Sequence, residues 1–140
     1  ALSSGRIKDT VFSYDKVLNF DGETGPNVQY TAARCFSVLA KGGEIGNYEI
    51  KDMNKCEYDL ASHISKLNET LSSSLEKYEP SFITRYAVDL AQLYNKFYFD
   101  CKILGEEENV KNFRLALTKA THITLSVCLK LLGIGVPERM

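Results

Sequence analysis

Ile83, Ala87, Leu90, Tyr94 and Phe97 recur at alternating intervals of four and three residues, and no other feature constrains the chain as tightly. At about 100° per residue these side chains share one stripe of a helix, and an apolar stripe of that length has to be buried. Phe82, Tyr86 and Leu93 widen it. Pro80 suits a helix start and the pattern runs to about Asp100, so the spacing predicts a long helix at the centre of a bundle.

The remaining segments carry the same period. Pro26 to Lys41 reads as a helix ended by Gly42-Gly43, with Val28, Ala32, Cys35, Phe36 and Leu39 on its inner side. Gly42 to Asn54 is rich in glycine and polar residues and reads as a loop. Asn54-Lys-Cys-Glu57 has the arrangement of a capping box, in which each end residue satisfies the other's backbone donor. Leu60, Ile64 and Leu67 follow at helical spacing. A bend is expected near Asn68 to Thr70, then a second helix with Leu71, Leu75 and Tyr78 inside, weakened by Ser72-Ser-Ser74. Glu106-Glu-Glu108 favours the positive end of a last helix carrying Val110, Phe113, Leu117, Ala120, Thr124, Cys128 and Leu131. Gly133 is placed to cap it, and Pro137 prevents continuation. No segment alternates as a surface strand does. The expectation is an all-α fold, a helical bundle of about five main helices.

With 17 basic and 18 acidic residues among 140, no global positive field draws in polyanions, so nucleic-acid affinity has to come from a local patch. No apolar run reaches the roughly 20 residues of a membrane span, and the N-terminus lacks the layout of a signal peptide. Cys35, Cys56, Cys101 and Cys128 are scattered, with only two histidines beside them. That spacing argues against a metal site and suits a reducing, cytoplasmic compartment. Cys35 and Cys128 read as small core residues, and His122 as a hydrogen-bonded core histidine. No catalytic set can be assembled from these residue types.

The stretch from Phe20 to Arg34 passes from a loop straight into a helix. Asp21-Gly22 and Thr24-Gly25 supply turn chemistry, Thr24 a capping hydroxyl, and Pro26 the first helical position. Beside the apolar side of this helix, Asn27, Tyr30, Arg34, Val38 and Lys41 share a second stripe. An aromatic ring and a guanidinium one turn apart can stack on a base and hold a phosphate. The same pair also fits a half-buried tyrosine next to a solvated charge.

Thr24-Gly-Pro-Asn-Val-Gln-Tyr-Thr-Ala-Ala-Arg34 resembles the Thr-Gly-Pro-Tyr-hydrophobic-Gln-Tyr-x-His-x-Arg signature of arginyl-tRNA synthetases, where the class I catalytic domain passes into the all-helical anticodon-binding domain. Pro80 to Tyr98, ending in Tyr94-Asn-Lys-Phe-Tyr98, resembles the family's long helix. Arg114-Leu-Ala-Leu-Thr-Lys-Ala120 and Leu131 to Met140 resemble its last helix and its tail. Together these segments cover nearly the whole chain in the family's order. Ser13–Phe20 reads as a short helix capped by Ser13, and the resemblance implies residues 1–20 as a lead-in from the end of a catalytic domain and residues 21–140 as the anticodon-binding domain. It also implies that the natural C-terminus is present and that the N-terminal part is missing.

Carried over residue by residue, the family's anticodon-contacting face falls on Asn27, Tyr30 and Arg34, with Met140 brought beside it by a tail folding back over the bundle. Asn27 replaces the usual tyrosine and Ala33 the usual histidine, which removes one stacking surface and one polar contact. Lys41, Arg85, Lys96, Arg114 and Lys119 are secondary phosphate candidates. The partners implied are the anticodon loop of an arginine tRNA and the protein's own catalytic domain, with no membrane and no DNA. ATP with magnesium belongs to the full-length arginine–tRNA ligase. The His-x-Gly-His and Lys-Met-Ser-Lys motifs that hold ATP in class I enzymes are missing from this sequence, so no catalysis is expected of this chain alone. A helical protein-interaction module that never meets RNA is the competing reading.

Overall fold

A computed structural model describes residues 25–136, which form five helices and no strand. They are α1 (Gly25–Gly42), α2 (Lys55–Ile64), α3 (Leu67–Lys77), α4 (Ser81–Asp100) and α5 (Glu108–Leu131). The expected boundary between residues 20 and 21, the Ser13–Phe20 helix, the Thr24 cap and Met140 lie outside the described residues. Among the described residues no helix is long and apolar enough to cross a membrane.

The long helix is central, as its stripe requires. α4 packs against all four other helices, and Ile83, Ala87, Leu90, Tyr94 and Phe97 are all buried. The hydroxyl of Tyr94 meets that of Thr118 on α5 at 3.1 Å, so the deepest aromatic keeps its polar tip satisfied. α1 packs mainly against α5 and α4. Burial pushes the Cys35 thiol up to about 12 and the Cys128 thiol to about 11, so both are protonated packing groups. On α1 the buried face is rotated from the expected one. Val38 and Ala33 are inside while Phe36 is exposed, because the helix is covered by two neighbours instead of one.

Local signals decide the ends of the elements. Asn54 and Glu57 form both halves of the capping box, Asn54 Oδ1 accepting from the Glu57 amide at 2.8 Å and Glu57 Oε1 from the Asn54 amide at 3.0 Å. At the other end of α2 the chain breaks at Ser65–Lys66, three residues before the expected bend. Tyr86 sits at the break. Its hydroxyl donates to the His63 carbonyl at 2.6 Å and lies 3.2 Å from that of Ile64, satisfying acceptors of the kind a helix end leaves open. Its ring stacks on His63 at 4.2 Å.

The early break changes the phase of α3. Leu75 and Tyr78, expected inside, are 76% and 79% exposed, and Ser74 is the buried residue of that turn. Ser74 faces the returning chain, its hydroxyl donating to the Glu79 carbonyl at 3.0 Å. α5 starts at the glutamate run, with Glu107 as its cap. It closes with the amide of Ile134 on the Leu129 carbonyl and that of Gly133 on Lys130, a Schellman closure with Gly133 at φ +76°. Leu131 is correspondingly left exposed at the last turn, and His122 is half-buried beside Phe36 instead of in the core. Burial holds the His122 imidazole below its usual pKa. Ile134 and Val136 then pack on the core, and the Gly135 carbonyl accepts from Gln29 Nε2 of α1 at 2.9 Å. At Gly135 the chain has thus returned to the first turns of α1.

Candidate nucleic-acid interface

α1 and α4 leave an open groove of about 590 Å³ between them. Asn27, Tyr30 and Arg34 line one side; Val88, Ala91, Gln92 and Asn95 line the other. Alanines at 33 and 91 keep the floor shallow. Counted from Thr24, the histidine of the signature falls on Ala32 and not on Ala33; Ala32 has no exposed surface and Ala33 is buried beside it. Tyr30 is 57% exposed and presents its ring to the groove, which excludes the half-buried core tyrosine. Asn27 is exposed one turn before it.

Arg34 is not a solvated charge. Its Nη1 donates to Asn95 Oδ1 at 2.8 Å, and its guanidinium carbon lies 4.4 Å from the centre of the Tyr98 ring and 5.2 Å from that of Phe99. A weakly hydrated, planar cation is suited to such a bed of rings. Beyond it a second cleft of about 500 Å³ opens, lined by Arg34, Ser37, Lys41, Tyr98, Phe99, Lys102 and Leu104 among others. Arg34 and Ser37 therefore form a wall common to both clefts. Phe99 is 74% exposed, the kind of apolar surface on which a base can stack. Three cations line the two clefts, and among the described residues no carboxylate does. On a chain whose formal net charge is −1 this is a local positive strip.

The secondary cations divide. Lys41 joins Arg34 in the second cleft. Arg85 lies between α3 and α4 in a separate depression with Lys77, Glu69 and Asp89, where acids offset it. Lys96 pairs with Asp100 at 3.4 Å, and Lys119 is exposed on α5 and lines neither cleft. Arg114 does not fit its assigned role. Its Nε donates to the buried Glu57 carboxylate at 2.7 Å and its Nη1 to the Lys102 carbonyl, so it ties α5 to α2 and to the 101–107 connection. Periodicity could not separate it from a surface arginine, because the partner is 57 residues away. Asn95, Tyr98, Phe99 and Lys102 escaped the sequence reading, although the first two sit inside the Tyr94–Tyr98 motif.

Residues 28–140 match the DALR anticodon binding domain. The chain belongs to that family. As a DALR anticodon binding domain it has relatives among longer proteins. The arginine–tRNA ligase of Clostridioides difficile is 45% identical over 99% of this chain and 25% of its own length. That of Halothermothrix orenii is 42% identical with the same coverage. The chain thus spans about a quarter of the length of the curated relatives it matches. Among solved structures, the arginyl-tRNA synthetase of Thermus thermophilus superposes with a TM-score of 0.81 at 34% identity, covering 86% of this chain and 22% of that one. A Campylobacter jejuni structure with a TM-score of 0.75 at 24% identity shares the fold. In this DALR domain α1 and α4 carry the groove, and Gly135 meets Gln29 on the first turns of α1.

Proposed function

We propose that this DALR domain binds the anticodon loop of an arginine tRNA as part of a class I arginine–tRNA ligase working in the cytoplasm. The observation that carries the reading is the pair of clefts along α1: three cations, exposed aromatic rings and, among the described residues, no carboxylate, on a chain whose formal net charge is −1. Unpaired bases need a stacking face and their phosphates need a cation, and both are within one turn here. Tyr30 stacks on a base of the loop. Arg34, with one edge committed to Asn95, presents its remaining N–H groups to a phosphate or a base edge, and Asn27 hydrogen-bonds without stacking. The Gly135–Gln29 bond holds the chain at the Asn27 end of α1 five residues before Met140, which supports a contact from that methionine.

Adenylation and transfer, with ATP and magnesium, belong to a catalytic domain outside this chain. Among the described residues no group of three His, Cys, Asp or Glu side chains comes together to hold a metal. The four free thiols suit the reducing compartment.

Titration of the chain with an arginine-tRNA anticodon stem-loop tests the reading. Tyr30→Ala and Arg34→Ala are each expected to weaken binding about tenfold, the order of one lost stacking or charge-assisted contact. Lys119→Ala, outside both clefts, is expected to change it little. Unchanged affinity in the first two variants would leave the α1 face to a protein partner.

A further inference from the structure

We infer that Asn95 is a positioning residue that sets the angle at which Arg34 meets RNA. The inference rests on reading the α1–α4 groove as an RNA site, and it concerns a residue whose side-chain amide is taken up by Thr31 and Arg34.

The argument begins at Thr31, one turn after Asn27 on α1. Its hydroxyl has one proton, which it donates to the Asn27 carbonyl at 2.9 Å. Towards α4 it has only lone pairs left, so the group 3.1 Å away has to be a donor, the Nδ2 of Asn95. With its nitrogen committed to Thr31, the amide cannot flip, and Oδ1 is turned onto Arg34 Nη1 at 2.8 Å. The orientation of the amide is therefore dictated by the α1 backbone.

Arg34 has no other hydrogen bond among the described residues. Its remaining contacts are the rings of Tyr98 and Phe99, 4.4 and 5.2 Å from the guanidinium carbon. Ring faces attract a cation without fixing its rotation in the plane, so they hold the guanidinium down and leave it free to turn. Asn95 supplies the direction. It leaves the other N–H groups of Arg34 facing the two clefts, where a bidentate contact to phosphate or a base edge depends on the angle of the plane.

The test reads Arg34 directly. In the 140-residue chain, nitrogen-15 spectra of the guanidinium are expected to show separate Nη1 and Nη2 signals, because the bond to Asn95 slows rotation. Asn95→Ala, with its helical circular dichroism retained, should merge them, and Asn95→Asp, which keeps an acceptor for Arg34, should restore the splitting. Thr31→Val removes the hydroxyl that orients the amide and should blur the same signals, so the test survives if Asn95→Ala does not fold.

In stem-loop titrations, Asn95→Ala is expected to weaken binding about tenfold beside Arg34 and less than twofold in an Arg34→Ala background. A purely structural role would give the same loss in both. Merged signals in the unaltered chain, unchanged splitting in Asn95→Ala, or equal losses in the two backgrounds overturn the inference. Should Arg34→Ala bind RNA as tightly as the unaltered chain while the splitting still depends on Asn95, the RNA reading of the groove fails and the positioning of Arg34 stands.

Discussion

Arg114 and Arg34 show how differently two arginines of one bundle can be used. Arg114 is locked to Glu57, whose other oxygen already accepts from the Asn54 amide, so a single carboxylate closes a helix cap and a buried ion pair. Removing the cation would leave a buried carboxylate half-satisfied, which costs far more than the pair itself contributes. Arg114→Met is therefore expected to lower unfolding stability by about 3 kcal/mol in urea titrations. Asp59→Asn, which breaks the largely exposed pair with Lys55, should cost below about 0.5 kcal/mol. Equal losses would mean that the burial of Glu57 carries no electrostatic penalty. Arg34 is held by one hydrogen bond and two rings at the edge of open clefts, and the rest of its donors are available to a ligand.

At the scale of elements, the contact that places the groove is the approach of α1 to α5. A Cβ on Gly42 would lie 2.6 and 2.9 Å from the two terminal carbons of Leu115, a side chain with no exposed surface. The glycine thus ends α1 and also lets it lie close against α5. Gly42→Ala favours helix in isolation by up to about 1 kcal/mol, yet overpacking of a closed core costs about 1–3 kcal/mol. The expected net result is a destabilisation of about 1 kcal/mol, seen as a lower melting temperature, with partial recovery in Gly42→Ala/Leu115→Val. A gain in stability would show that the two helices can separate freely there. The end of α2 is likewise met by another element, a tyrosine hydroxyl from α4 that reaches the carbonyls of its last turn.

For the molecule as a whole, a formal charge of −1 means that the proposed RNA affinity rests on a local patch, here the strip of Arg34, Lys41 and Lys102. Three phosphate neutralisations on a single strand correspond to a slope of about −2 in log affinity against log salt, and Lys41→Ala should flatten it by about 0.7. A slope near zero would remove the electrostatic part of the proposal. Much of this molecule could be read from its chain. The stripe Ile83–Phe97, the capping box, the glutamate start and the glycine end of α5 are interactions among residues within a few positions of one another, and period and local chemistry determine them alone. Tyr30 and Arg34 were legible as a pair for the same reason, one turn apart on one helix. Which way each side chain faces was settled by partners far along the chain. Two neighbours on α1 drew Val38 inside and left Phe36 out, α3 turned Ser74 inward and Leu75 and Tyr78 to solvent, and Glu57 took Arg114. Asn95, 61 residues from Arg34, gave that guanidinium its direction. Such choices depend on distances between elements, and those exist only once the helices have packed.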